Sequence, residues 1–347
     1  MIPRSASFTG EKNMNRAPRR IPVRPLVIRV IACAAGLLAG TLPAGSFAQG
    51  YPAKPVRVIV GNAPGSLNDT AARLVFAKVG EALGQQFVVD NRPGAGGSIG
   101  AEAVAKAPPD GYTVLNAVNT MMVVNPFLYS RLGYDPLRDF EPVTMLVKVS
   151  EVLVVHPSLG TRTVKDFVGL AKARPKQVTY ASGGNGHPTH LMMELFQRKA
   201  GIALVHVPYK GTSPGVQALV SGEVAAFNIG IGLVRAHIAN GKLHALAKTG
   251  FPSKDALPGV PPLTQFYPDA EYIPWQGVFV PKGTPQEIVA RLSAAIGKAL
   301  AAQEVTARLT ALDLTASGGS PGDLDRAVRA DMKVNQDLIK SIGLKLD

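Results

Sequence analysis

The sequence predicts an α/β protein of two lobes, each a mainly parallel sheet covered by helices, with two crossovers joining them. Three observations carry this expectation. Beyond residue 50, short β-branched runs alternate with helical stretches in the order β-α-β-α-β, the pattern of a layered α/β domain. Two long extended runs, 140–155 and 275–281, flank a second such series, so one lobe reads as inserted into the other. Three predicted strands end in Gly-, Ser-, Asn- or Thr-rich turns before a helix. At 347 residues the chain is long enough to bury two cores.

Element by element, Val56–Val60 reads as a strand and Thr70–Leu83 as a helix. Phe87–Val89 is a strand, Gly97–Ala107 a small-residue helix, and the Pro108-Pro-Asp-Gly111 turn leads into a strand at Tyr112–Asn116. The extended run Phe140–Val155 follows. The second series comprises helix 164–173, strand 178–181, helix 188–199, strand 203–207, helix 214–221, strand 225–228, helix 233–239 and strand 243–247. A proline-rich stretch, 251–274, leads to the extended run Trp275–Pro281, and helical patterns at 285–302, 304–312 and 321–342 close the chain. The expected division is 1–48 as an export signal, 49–148 with 276–347 as the first lobe, and 149–275 as the second.

The three turns point to anion capture. In Val178-Thr-Tyr-Ala-Ser-Gly-Gly-Asn-Gly-His-Pro, Ile59-Val-Gly-Asn-Ala-Pro-Gly-Ser-Leu-Asn-Asp-Thr and Val207-Pro-Tyr-Lys-Gly-Thr-Ser-Pro-Gly, small polar residues precede a helix. A helix start offers unpaired N–H groups and the positive end of its dipole, to which carboxylates and phosphates bind. The candidates on this reading are Ser182, Gly184, Asn185 and Gly186, then Gly211, Thr212 and Ser213. Lys210 either pairs with an anion or stays solvated while the neighbouring amides bind; we favour the amides. Asn119 and Thr120, after a first-lobe strand, either line the cleft or form a turn. Trp275, on the second crossover, either walls the cleft or fills core.

Charge narrows the function class. The formal charge is +13, but residues 1–48 carry seven Lys/Arg against Glu11 alone, which leaves +7 on the remainder. Those later basic residues are scattered without interleaved aromatics, which argues against nucleic-acid binding and suits recruitment of small anions. Arg4 to Arg29, the apolar stretch Val30–Leu42 and Ser46-Phe-Ala48 together read as a signal for ordinary secretion, cleaved after Ala48. The apolar stretch is too short for a membrane span, and no span is expected after its removal. Cys33, the single cysteine, lies in this segment; Val30-Ile-Ala-Cys33 matches a lipoprotein box, but the basic residue before it and the apolar residues after it argue against an anchor. A mature chain without thiols excludes disulfides and thiolate chemistry.

Catalytic and cofactor motifs fail on spacing. Gly94-Ala-Gly-Gly-Ser-Ile-Gly100 puts Ile99 at the third glycine of a dinucleotide fingerprint, so tight helix–strand packing explains it better, and no cofactor is expected. His187 and His190 flank Pro188 with no completing acid, so no metal site is expected. Ser182 lacks a G-x-S-x-G elbow, and no His–acid pair can be assigned to it.

Further strings form an ordered set: Tyr51-Pro-Ala-Lys-Pro-Val-Arg57, Pro64-Gly65 with Asp69 and Ala72-Arg73, Val89-Asp-Asn-Arg-Pro-Gly-Ala-Gly-Gly-Ser98, Ala107-Pro-Pro-Asp-Gly-Tyr-Thr113, Asn125-Pro126, Tyr180-Ala-Ser-Gly-Gly-Asn-Gly186, His206-Val-Pro-Tyr-Lys-Gly211, Gly241-Lys-Leu-His-Ala-Leu-Ala247 and Gly277-Val-Phe-Val-Pro-Lys-Gly-Thr-Pro285. Over residues 50–347 the chain resembles the Bug family, the periplasmic solute receptors of tripartite tricarboxylate transporters. The resemblance implies a type II-like periplasmic binding protein, not an enzyme. Its two lobes would close on a small organic acid and deliver it to separate membrane permease subunits. A periplasmic sensor partner for a membrane kinase is the alternative, and an enzyme acting on an organic acid a lesser one.

Beside that resemblance, Ser66, Leu67 and Asn68 are expected to touch ligand while Asp69 caps the helix. Two departures from the family pattern bear on the ligand's far end. Ser66-Leu67-Asn68 stands where glycine is common, and neutral Asn228 stands where an acid often follows the Phe matching Phe227. The loss of that acid argues against a ligand with an ammonium group there, and Leu67 with Ile229 would make that end more apolar.

Overall fold

In the computed structural model, which describes residues 50–251, 256–270 and 272–346, the β-branched run Val56–Val60 forms β1. The expected signal segment lies outside the described residues. After β1 come α1 (Leu67–Leu83), β2 (Phe87–Asn91), α2 (Ser98–Ala105), β3 (Thr113–Val118) and the short helices α3 (Asn119–Val123) and α4 (Asn125–Leu128). The extended run is one strand, β4 (Phe140–Val155). The second series is α5 (Val164–Ala173), β5 (Thr179–Ser182), α6 (Pro188–Ala200), β6 (Val205–Pro208), α7 (Thr212–Ser221), β7 (Ala226–Gly230), α8 (Ile231–Ala239) and β8 (His244–Gly250). β9 (Trp275–Pro281), α9 (Gln286–Ala301), α10 (Gln303–Ala311), β10 (Leu314–Gly318) and α11 (Pro321–Ile342) complete the fold.

Local chemistry sets these boundaries. At α1, Ser66 accepts the Asp69 N–H at 3.2 Å, Asp69 accepts the Gly65 N–H at 2.9 Å, and Gly84 ends the helix at φ 69°. At α11, Ser320 and Asp323 form a reciprocal capping box with Pro321 in the first turn. The glycine cluster before α2 is a packing device, as the spacing predicted. A Cβ on Gly61 would lie 2.8 Å from the Gly97 carbonyl oxygen, and one on Gly100 would lie 3.1 Å from the Gly61 Cα.

The strand order is β2-β1-β3-β9-β4-β7-β5-β6, with β10 and β8 also paired to β4. The expected parallel pairing holds within the two βαβ series, where β1 pairs with β2 and β3, and β5 with β6 and β7. It stops at the crossovers. Every ladder made by β4 or β9 is antiparallel, because these strands return the chain from one half to the other. β4 changes partners midway. Up to Val149 it lies between β9 and β10, and from Ser150 onward between β7 and β8. β10 was not expected, because its Leu314-Thr-Ala-Ser-Gly318 is short and weakly apolar.

Apolar faces close over both sides of this sheet. Val58, Val60, Phe76, Leu292 and Ile296 are fully buried around β1, α1 and α9, and Phe227, Leu219 and Val234 around β7, α7 and α8. Each such side chain contributes roughly 1.5–3 kcal/mol by leaving water. The α11 helix packs on β4 and touches α3, α4 and α6, so it contacts elements on both sides of the partner change.

Candidate functional site

Where β4 changes partners, a cavity of about 550 Å³ opens, within the range of small-molecule sites. The starts of α1, α6 and α7 border it, with Asn119 of α3, Glu151 of β4, Ile229 of β7 and Trp275 of β9. Among the described residues that line it there is no lysine or arginine. Any anion held here is therefore met by backbone and neutral side chains.

Two of the helix starts have donors to offer. No hydrogen bond within the described residues engages the backbone N–H of Leu67 or Asn68 in α1, or of Thr212 or Ser213 in α7. Ser66, Leu67, Asn68, Thr212 and Ser213 all line the cavity. The Asn68 side chain is already occupied. Its Nδ2 donates to Asn62 Oδ1 at 2.8 Å, and its Oδ1 accepts from Asn116 Nδ2 at 2.6 Å, so its free donor is the main-chain N–H. Behind the cap, burial alone would raise the Asp69 carboxyl. Hydrogen bonds from Arg73, the Gly65 N–H and Asn91 outweigh it and hold the carboxyl below its usual range.

The third turn behaves differently. Gly183 N–H donates to Thr189 Oγ1, Gly184 N–H to Ser182 Oγ and Gly186 N–H to His190 Nδ1. Within α6, Pro188 has no N–H, and His187 Nδ1 accepts the Thr189 N–H. This helix start is thus capped from within. Ser182, Gly184, Asn185 and Gly186 do not line the cavity; His187, Pro188 and Thr189 do. Asn185 is exposed. Gly211, the α7 N-cap, lies outside the lining, and Lys210 is exposed.

Ser182 does have a histidine, which sequence spacing had not paired with it. Its hydroxyl lies 2.6 Å from His206 Nε2, His206 stacks on His190 at 3.9 Å, and Tyr180 donates to Glu194 alongside. Ser182 is fully buried, and burial pushes the His190 and His206 imidazoles down to about 4. This neutral stack supports the wall behind the α6 start.

On the opposite wall, Asn119 begins α3 and lines the cavity, whereas Thr120 is buried beside it and does not. Asn119 Nδ2 donates to Tyr272 Oη at 3.4 Å, and its Oδ1 is buried without a partner among the described residues. Trp275 walls the cavity and is also core. It is 3% exposed, and its Nε1 donates to Asp331 at 2.7 Å.

Asn228 does not line the cavity, and the sequence inference drawn from it needs correction. It sits in β7 behind Glu151, donating from Nδ2 to Glu151 Oε2 at 2.6 Å and accepting from Thr249 Oγ1 at 2.7 Å. Glu151 is 4% exposed and lines the cavity. An acid thus stands on the adjacent strand beside position 228, and this end of the cavity is not purely apolar. Burial pushes the Glu151 carboxyl up to about 8, against the opposing hydrogen bond from Asn228. One signal for it was available: Glu151 is the single acid in the extended run Pro142–Val155.

Comparison with known proteins gives a consistent result. The family model described as "Tripartite tricarboxylate transporter family receptor" matches residues 71–344. Protein BugT of Bordetella pertussis is 35% identical over 301 residues, 86% of this chain and 92% of that one. Among solved structures, a Rhodopseudomonas palustris protein with adipate is 33% identical with a TM-score of 0.75, covering 85% of this chain and 99% of that one. MatC from the same organism, with bound malate, is 30% identical with a TM-score of 0.71, covering 83% and 100%.

Proposed function

The chain belongs to the receptor family of the tripartite tricarboxylate transporters, a family of periplasmic solute-binding proteins, and on that premise we propose that it captures a small carboxylate for a separate membrane permease. The observation that carries the proposal is the pair of helix starts at one cavity. Among the described residues, the four N–H groups of Leu67, Asn68, Thr212 and Ser213 have no partner, and no lysine or arginine lines the cavity. Backbone donors and two helix dipoles suit a carboxylate, and they hold its charge without a counterion. That relatives were solved with adipate and malate supports this class of ligand.

In this reading residues 149–275 form the second lobe, and 49–148 with 276–347 the first. The partner change in β4 and the extended run of β9 (Trp275–Pro281) are the two connections about which the lobes close. Closure brings the α1 start, from one lobe, toward the α7 start, from the other. The permease then recognises the closed shape. Residues 1–48 direct export. Among the described residues no helix is long and apolar enough to cross a membrane.

The chain binds its acid and does not transform it. Isothermal titration of the mature chain with mono-, di- and tricarboxylates is expected to give micromolar or tighter binding to at least one. Product analysis after prolonged incubation is expected to return that acid unchanged. Binding to none of the acids, or conversion of one, contradicts the assignment.

A further inference from the structure

Resting on the carboxylate reading, one feature of the same cavity goes further. Glu151 is the only acid among the described lining residues, and no ion pair among the described residues involves it. Its surroundings account for one of its oxygens. Oε2 accepts from Asn228, whose amide is fixed in that orientation by the Thr249 hydroxyl bonded to Asn228 Oδ1. On the neighbouring elements Arg235 of α8 is paired with Asp313, whose carbonyl accepts the Ser150 N–H, and two further titratable groups are Tyr272, near enough to feel the Glu151 charge, and His187, which lines the cavity from the α6 start. Neither is a cation at neutral pH: burial raises the Tyr272 hydroxyl and lowers the His187 imidazole to about 4. Asp331, held by Trp275, adds a further acid behind this wall.

A second acceptor shares the cavity. Asn119 is 2% exposed and lines it, and with Nδ2 committed to Tyr272 its Oδ1 has no partner among the described residues. One part of the cavity thus offers free N–H donors, and another offers a carboxyl and an orphaned amide oxygen. A dicarboxylate would satisfy the first, but at the second it would face the Asn119 oxygen as an acceptor and find a single donor, the Glu151 proton. An ammonium group, with three donors and a positive charge, satisfies both acceptors.

We propose that Glu151 and Asn119 form a subsite for a primary ammonium group, so that the preferred ligand is a zwitterion carrying both a carboxylate and an ammonium. Ligand binding converts Glu151 from acid to carboxylate. Its proton leaves to solvent, and the buried ion pair forms between the ligand nitrogen and Glu151. Because burial places the free carboxyl near 8, about nine-tenths of it is protonated at pH 7, and close to one proton is released per ligand bound. Affinity then rises roughly fifty-fold between pH 6 and pH 8.

Isothermal titration with matched sets tests this: succinate, malate and aspartate; and hexanoate, adipate and 6-aminohexanoate. In each set the carbon count is kept; the first changes the substituent on C2 and the second changes the group at the far end. Titrations in two buffers of different ionisation enthalpy read the proton count. At least one amino acid is expected to bind ten-fold or more tightly than its nitrogen-free partners, with proton release. Glu151→Gln, which keeps the size and the Asn228 contact, is expected to abolish both the preference and the release. Equal or tighter binding of the nitrogen-free acids overturns the subsite and leaves the carboxylate reading standing. Binding of an amino acid without proton release also overturns it. If no acid in either set binds, both readings fall together.

Discussion

Replacing Thr212 by Asp places a carboxylate at the first position of α7, beside two of the four free N–H donors. The host helix is not harmed, because an acid in the first turn favours the dipole by about 0.3–1 kcal/mol. A ligand carboxylate bound to the Thr212 and Ser213 amides would lie on the order of 5 Å from the new charge. At an effective dielectric of about 20, Coulomb's law gives about 3 kcal/mol of repulsion at that distance. The cavity is partly open, so screening reduces this to about 1–3 kcal/mol, or roughly five- to 150-fold in Kd. Thr212→Asn, similar in size but neutral, is the control and should change affinity less than about three-fold. Isothermal titration of the three proteins with the acid that binds wild type best, together with melting curves, reads both effects. Weaker binding by the Asp variant with an unchanged or raised melting temperature supports the placement. Unchanged affinity for that acid would refute it.

Other perturbations give separable outcomes. Ser66→Ala removes the oxygen that accepts the Asp69 N–H at 3.2 Å, and should cost about 1 kcal/mol of stability, read as a lower urea midpoint. Ser182→Ala deprives His206 of its 2.6 Å partner in a buried stack; a loss of about 1–3 kcal/mol with unchanged ligand affinity is expected, whereas a loss of binding alone would place Ser182 in the site. Glu151→Gln also alters the pH dependence of folding. A carboxyl raised from 4.5 to about 8 by burial contributes stability present below about 4.5 and lost as pH rises through about 8, so the unfolded chain ionises first. The variant should therefore gain about 3–5 kcal/mol on wild type between pH 4.5 and pH 8, measured by urea unfolding. A difference that stays constant with pH would show that Glu151 is ionised in the fold.

Much of the fold was legible because its signals are local. Val56–Val60, Val164–Ala173 and Pro321–Ile342 are bounded by turn residues and caps that fix where an element starts. The extended runs at 140–155 and 275–281 stood out by length and flanking prolines. Their antiparallel pairing did not, because direction depends on how distant segments meet. At the site, Ser66, Leu67, Asn68, Thr212 and Ser213 could be picked out as polar turns before helices. The turn at 182–186 carries the same signature, yet its donors bond to Thr189, His190 and Ser182, which only the folded geometry shows. Asn228 and Glu151 show the opposite failure. A neutral residue in β7 said nothing of an acid on β4, 77 positions away, that shares a hydrogen bond with it.

The most direct test is the crystal structure of the mature chain with the tightest-binding acid from the titrations. The account predicts a ligand carboxylate between the α1 and α7 starts, with its oxygens about 2.7–3.2 Å from N–H groups of Leu67 or Asn68 and of Thr212 or Ser213. A carboxylate held instead by a basic side chain, or lying away from both helix starts, would contradict it.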